Sequence, residues 1–259
     1  MSALRQYGAL SRRSIVNTIR QPAAIVPALV FPLIFLALTA AALDRSTDLP
    51  GFPRVDSFLQ FAVATTIVQG SLFGAIAAGA DMAKDIEGGF FERLVASPVA
   101  RTSILVGRLA GAATLGFTQA WIYLGITSLF GLEVEGGAVA MVLISLVSAV
   151  VGAGIGSLAV AFGLRTGSNE AVQGAFPLLF VLLFFSSAFF PRTLMEGWFA
   201  GVAGANPISH LIEGLRSLVI TGLDAGELLN ALAVAAGLLV LGIAAAAAAL
   251  RGRLKAAHG

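Results

Sequence analysis

Cysteine is absent from the 259 residues, which excludes disulfides, thiolate nucleophiles and cysteine-held metals. The two histidines, His210 and His258, lie far apart, so no ligand spacing of a metal cluster exists. Charge is scarce too. Only 12% of residues are charged, against roughly a quarter in a soluble domain. Net charge is +2, and the basic residues sit at the ends of hydrophobic runs, so a nucleic-acid surface is not expected. No glycine-rich loop ending in Lys-Ser or Lys-Thr is present. Nucleotide hydrolysis is therefore not expected of this chain, nor is redox or metal chemistry by its own groups.

What is plentiful is apolar sequence, at 58% of the chain. A hydrocarbon core needs about 20 apolar residues per helix, and six segments qualify: 23–43, 58–80, 106–130, 138–163, 171–190 and 228–250. They predict an all-α polytopic membrane protein, folded as a single membrane domain over 1–259. The stretch 191–220 is apolar but interrupted by Asn206, Pro207, His210, Glu213 and Arg216. Short outer re-entrant helices suit it better than a seventh span.

Arginine and lysine set the orientation. Residues 1–22 carry Arg5, Arg12, Arg13 and Arg20, and the tail carries Arg251, Arg253 and Lys255, with no acid in either. With Lys84, Arg93, Arg101, Arg108 and Arg165, twelve basic residues fall on the inner side. Arg45, Arg54, Arg192 and Arg216 fall outside, with nine of the 14 acids. Both termini are expected in the cytoplasm. A cleaved signal peptide would need a shorter polar lead and a shorter apolar run than the amino terminus has. On a helical wheel Arg5, Arg12, Arg13 and Arg20 share an arc of about 100°, the pattern of an interfacial helix; a solvated basic leader is the bland alternative.

Within the six segments Arg108 is the only charged side chain. It stands two residues inside the third and is expected to snorkel to the cytoplasmic interface. The lack of intramembrane carboxylates, lysines or histidines argues against an ion-coupled carrier and against acid–base catalysis. Thr65, Thr66, Gln69, Thr118, Gln119 and Tyr123, with Ser145, Ser148 and Gln173, could line a path for an amphipathic substrate. Interhelical hydrogen bonds would explain them equally well. Glycines recur at four-residue spacing (70 and 74, 107 and 111, 152 and 156), predicting close helix approach. Pro22, Pro27 and Pro32 should loosen or kink the first span.

The inner loop between spans two and three carries the most specific signal. It reads Asp85-Ile86-Glu87-Gly88-Gly89-Phe90-Phe91-Glu92-Arg93-Leu94-Val95-Ala96-Ser97-Pro98. A short helix from about Gly89 to Ser97 would pair Phe90 with Leu94 and Phe91 with Val95, and Pro98 would stop it. Such aromatic residues need a cover: either the protein's own helix ends or a cytoplasmic partner.

This loop resembles that of ABC-2 type transporter permeases, including the daunorubicin-resistance exporters. The resemblance rests on Glu87-Gly88, Leu94, Ser97-Pro98-Val99, Arg101 and Gly107-Arg108, and on the late segment Ser186-Ser187-Ala188-Phe189-Phe190-Pro191, Trp198, Asn206-Pro207. Gly89 departs from the common threonine or serine, which removes a side-chain cap, and Glu196-Gly197 precedes Trp198 where proline is frequent. The resemblance implies the membrane half of an ATP-driven exporter in the bacterial cytoplasmic membrane. Residues 84–98 become a coupling helix seated in an ATPase cleft, a role carried over to Asp85, Glu87, Gly88, Phe90, Phe91, Glu92, Arg93 and Leu94. It further implies two ABC ATPase subunits that bind the ATP and magnesium, no cofactor in this chain, and a second permease, identical or sister. Membrane lipids complete the expected partners. A carrier not driven by ATP and a non-transporting membrane scaffold are the competing readings.

Overall fold

The structure, a computed structural model, describes residues 3–256; His258 lies outside the described residues. They form eleven α-helices joined by turns and short 3-10 segments, with no strand among them. Five helices are long and apolar enough to cross a membrane: α2 (Pro22–Leu43), α3 (Phe58–Glu87), α5 (Arg101–Leu129), α6 (Gly137–Thr166) and α11 (Ala225–Ala256). Helix α1 (Ala3–Ile19) precedes them, and α4 (Phe90–Ala96) fills the loop between α3 and α5.

The fifth apolar segment is not one helix. Residues 171–190 divide into α7 (Asn169–Gly174), α8 (Phe176–Phe184) and a turn-rich stretch ending at Pro191. Pro177 has no N–H to offer the carbonyl of Gln173, and Gly174 is a poor helix former, so the helix breaks between them. Ser168 caps the start of α7 by accepting from Ala171 N at 3.2 Å. Beyond the break the outer region folds as α9 (Gly197–Ala205) and α10 (Pro207–Ile220).

Helix α6 packs on α3, α5 and α11, while α10 sits against α3 and α11. Every residue of α3 from 60 to 72 is buried, which makes it the central helix of the bundle. Between apolar helices in lipid, attraction comes from close packing rather than from expelling water, and small residues supply the closeness. A Cβ on Gly79 would lie 2.6 Å from the Ala159 carbonyl oxygen, and one on Gly163 2.6 Å from that of Gly79. Helices α3 and α6 therefore touch backbone to backbone.

Helix α1 lies alongside α5. Gly107 faces Leu10, and Gly111 faces Ser14 and Thr18, so the two chains advance in the same direction for about two turns. The Gly107–Gly111 spacing read from the sequence is the seat of α1.

Gly163→Leu should force α3 and α6 apart and cost roughly 1–3 kcal/mol, seen as a lower thermal midpoint in detergent. Gly237→Leu, where nothing lies within 4 Å of the added carbon, should leave the midpoint unchanged.

Candidate functional site

The loop helix forms within one residue of the predicted start. Helix α3 runs on past the predicted span, through Asp81, Lys84 and Asp85 to Glu87, so residues 84–87 belong to α3. The chain then reverses at Gly88 and Gly89, whose N–H groups donate to Lys84 O (2.9 Å) and Ile86 O (3.0 Å). Gly89 sits at φ +67, a conformation that threonine or serine reaches only with strain. Glycine at this position closes α3 instead of capping α4.

Phe91 is buried against Met82, Ile86, Ile104, Leu105 and Leu254, with Leu94 and Val95 packed partly on the same cluster. The protein's own helix ends thus cover this aromatic ring. Phe90 is half-buried, and the Arg13 guanidinium lies 3.9 Å over its ring. The side chains turned to solvent are those of Glu87, Glu92 and Arg93, beside Gly88.

Three other parts of the chain hold the loop. From α1, Gln6 donates to Pro98 O (3.2 Å) and accepts from Ala100 N (2.9 Å), and Tyr7 shares a 2.7 Å hydrogen bond with Thr102. From α11, Arg253 faces Glu92 at 3.8 Å and donates to Leu164 O at 3.2 Å. From α7, Asn169 N donates to Glu87 Oε1 at 2.8 Å.

Beneath the loop lies a compact ionic cluster. Arg108 does not snorkel: its side chain is 7% exposed and pairs with Asp85, with Asp81 at 3.8 Å. Snorkelling loses because α3 extends beyond its apolar segment and brings two carboxylates, four residues apart on one face, to the same depth. Asp85 also takes both terminal nitrogens of Arg13, at 3.1 and 3.2 Å. Asp81 accepts from Asn17 (2.9 Å) and Gln21 (3.2 Å), and Lys84 stands 3.9 Å away. Two carboxylates and two guanidiniums lock α1, α3 and α5 together at the α4 end of the bundle. The Asp81–Asp85 spacing was the available signal in the sequence; the Gln6 clamp and the Arg253 contact had none.

At the opposite end, Asn206 caps α10 by accepting from Ile208 N at 2.9 Å, with Pro207 in the first turn. Its amide donates to Leu182 O and Phe185 O at 2.7 and 2.8 Å. His210 bridges Gly204 O (2.9 Å) and Asn230 (3.1 Å), and Glu213 pairs with Arg192 at 2.6 Å. Arg216, counted from the sequence among the charges on the outer side, is 6% exposed. It donates to Phe61 O (3.0 Å), Ser187 O (3.0 Å) and Ala188 O (3.3 Å), and lies 3.6 Å over the Phe61 ring. Burial lowers its pKa and the neighbouring Glu213 raises it; a guanidinium starts high enough to remain charged at neutral pH. Arg216 and Asn206 together satisfy the carbonyls freed where the fifth segment unwinds, which is the condition for irregular backbone inside such a bundle.

Of the polar span residues, Thr65 donates to Ala188 O (2.9 Å), Thr66 to its own helix at Ala62 O (3.3 Å) and Tyr123 to Ala28 O (2.8 Å). Gln119 donates to Ser71 at 3.4 Å. Gln69 Nε2 and Gln119 Oε1 are buried without a partner among the described residues, whereas Thr118 is exposed. Hydrogen bonds between or within helices therefore occupy Thr65, Thr66 and Tyr123.

Arg108→Met should remove the buried cation shared by Asp81 and Asp85, leaving Asp81 with only neutral donors and the more distant Lys84, and cost roughly 3–5 kcal/mol. Arg13, whose side chain is 40% exposed, should cost under about 1 kcal/mol when changed to Met. Thermal unfolding of the two variants side by side checks the order.

Comparison with known proteins gives one consistent result. A daunorubicin resistance ABC transporter permease protein, DrrB1 of Streptomyces coeruleorubidus, is 29% identical over 197 residues, which is 74% of this chain and 65% of that protein. The chain thus spans just under two thirds of that relative. A probable doxorubicin resistance ABC transporter permease protein, DrrC of Mycobacterium tuberculosis, is 22% identical over 231 residues, covering 89% of this chain and 83% of DrrC. A putative transport permease, ycf38 of Porphyra purpurea, is 29% identical over 216 residues, or 82% and 73% of the two chains. The profile of the ABC-2 type transporter family matches residues 5–220, and with both the loop and the Asn206-Pro207 region inside that match, the chain belongs to this family.

Proposed function

We propose that the chain is the transmembrane permease subunit of an ATP-driven exporter that moves an amphipathic drug, lipid or natural product across the bacterial cytoplasmic membrane. The observation that carries this reading is the mounting of α4. Its apolar side is anchored by Phe91 in the chain's own core, while Glu92, 3.8 Å from Arg253, and Arg93 are exposed on the cytoplasmic side. A helix braced from behind and charged in front can transmit a push from a docked ATPase without deforming.

In this reading the five long helices and the broken α7–α8 pair make six spans, with both termini in the cytoplasm. Two copies, or this chain and a sister permease, assemble with two ATPase subunits that bring the ATP and magnesium. The exposed apolar face of α8, with Leu178, Val181, Leu182 and Phe184, is the surface offered to the second permease. ATP binding draws the ATPase pair together, moves the α4 helices and changes the spacing of the two permeases, releasing the substrate outward. Daunorubicin and doxorubicin resistance, which name two of the relatives, fit a substrate of this amphipathic kind.

Co-purification with a co-expressed ABC ATPase tests the reading. Reversing the exposed pair, Glu92→Arg with Arg93→Glu, should abolish ATPase capture while unfolding stability falls by no more than about 1 kcal/mol, since the Glu92–Arg253 contact it breaks is exposed. Phe91→Asp should instead unfold the cytoplasmic end. Unchanged capture by the reversed pair would remove α4 as the docking element, and no capture by the parent chain would leave the scaffold reading.

A further inference from the structure

An apolar groove of about 280 Å³ runs between α1, α2 and α5, walled by Ile15, Ile19, Ile25, Leu29, Leu115 and Ile122. Its lining on α5 extends from Gly111 to Ile122, about 16 Å of helix, and half of a hydrocarbon core is about 15 Å. The groove is one leaflet deep.

Its upper end is at the polar boundary. Leu10 sits on Gly107 and Ser14 on Gly111, which puts Arg12 level with residue 109, beside the ionic cluster of Arg108. Arg12 precedes Ile15 by three residues and Ile19 by seven, so it shares their face of α1. Arg12 is exposed, and no ion pair among the described residues includes it. A cation at headgroup depth therefore stands over an apolar channel the length of one acyl chain.

We infer that this groove binds an inner-leaflet anionic phospholipid, with one acyl chain along α5 and the phosphate paired with Arg12. Charge complementarity selects the headgroup, and channel length selects a bilayer lipid over a shorter apolar compound. The bound lipid fills the gap between α1 and α5 and holds α1 in its seat. Because α1 carries Gln6 and Arg13, the lipid also steadies the loop that α1 clamps.

Native mass spectrometry of the detergent-purified full chain, titrated with dioleoylphosphatidylglycerol and dioleoylphosphatidylcholine, tests this. The two lipids share chains and differ in headgroup charge. The parent should retain the glycerol lipid about fivefold more strongly, with a larger rise in thermal midpoint. Arg12→Gln, an exposed change, should bring it down to the level of the choline lipid. Thr118→Phe, which fills the open rim of the groove, should weaken both, while Leu178→Phe on α8 should change neither. Equal retention of the two lipids by the parent, an unaltered preference in Arg12→Gln, or parent-like binding by Thr118→Phe would each overturn the inference.

Discussion

Arg108, seated between Asp81 and Asp85, is the interaction on which the α4 end of the molecule depends. Removing a guanidinium and two carboxylates from water is costly, and it is offset only where every charge finds a partner in good geometry. Asp85 meets that condition by taking Arg13 as well, and Asp81 by accepting from Asn17 and Gln21. Both of those completions come from α1 and the turn after it. The cluster is therefore satisfied only when α1 is seated on α5, and an unseated α1 would leave a buried carboxylate short of donors. That dependence makes α1, the end of α3 and the start of α5 a single block.

The opposite end of the bundle solves a different problem with the same residue type. There the charge is not paired with a carboxylate at its centre but spent on carbonyl oxygens, since Arg216 donates to Phe61, Ser187 and Ala188. An unwound fifth segment would otherwise leave acceptors without donors in a dry interior. Helix α3 is common to both ends: Phe61 lies under Arg216, and Asp81 and Asp85 lie beside Arg108. Between them its small residues, Gly79 foremost, let α6 approach backbone to backbone. A shift of α3 along its axis would be felt at both clusters at once.

Much of this was legible in the sequence because lipid leaves few choices. Apolar length located α2, α3, α5, α6 and α11 to within a few residues, apart from the ends of α3, α5 and α11 nearest α4, where charged residues continue the helix past the apolar run. The loop helix was legible from Phe90/Leu94 and Phe91/Val95 spacing and from Pro98. Hydropathy could not reveal the break in the fifth segment, since Ala175 to Phe190 stays apolar whether helical or not; Pro177 and Gly174 were the local hints. Nor could it show the burial of Arg216, because a charge among polar neighbours such as His210 and Glu213 reads as outward until its acceptors are known. Whether Phe91 faced a partner or its own helices depended on Leu254, 163 positions away, beyond any local pattern.

The loop, α1 and the end of α3 are held to move as one body when the transporter works. With no native cysteine, spin labels can be placed at Ala9→Cys on α1 and Ala96→Cys on α4, both exposed positions, without background. Pulsed electron–electron spectroscopy of the permease assembled with its ATPase, with and without trapped nucleotide, reads their separation. A distance distribution unchanged by nucleotide is the predicted result. A nucleotide-dependent shift between α1 and α4 larger than the width set by the labels would contradict it.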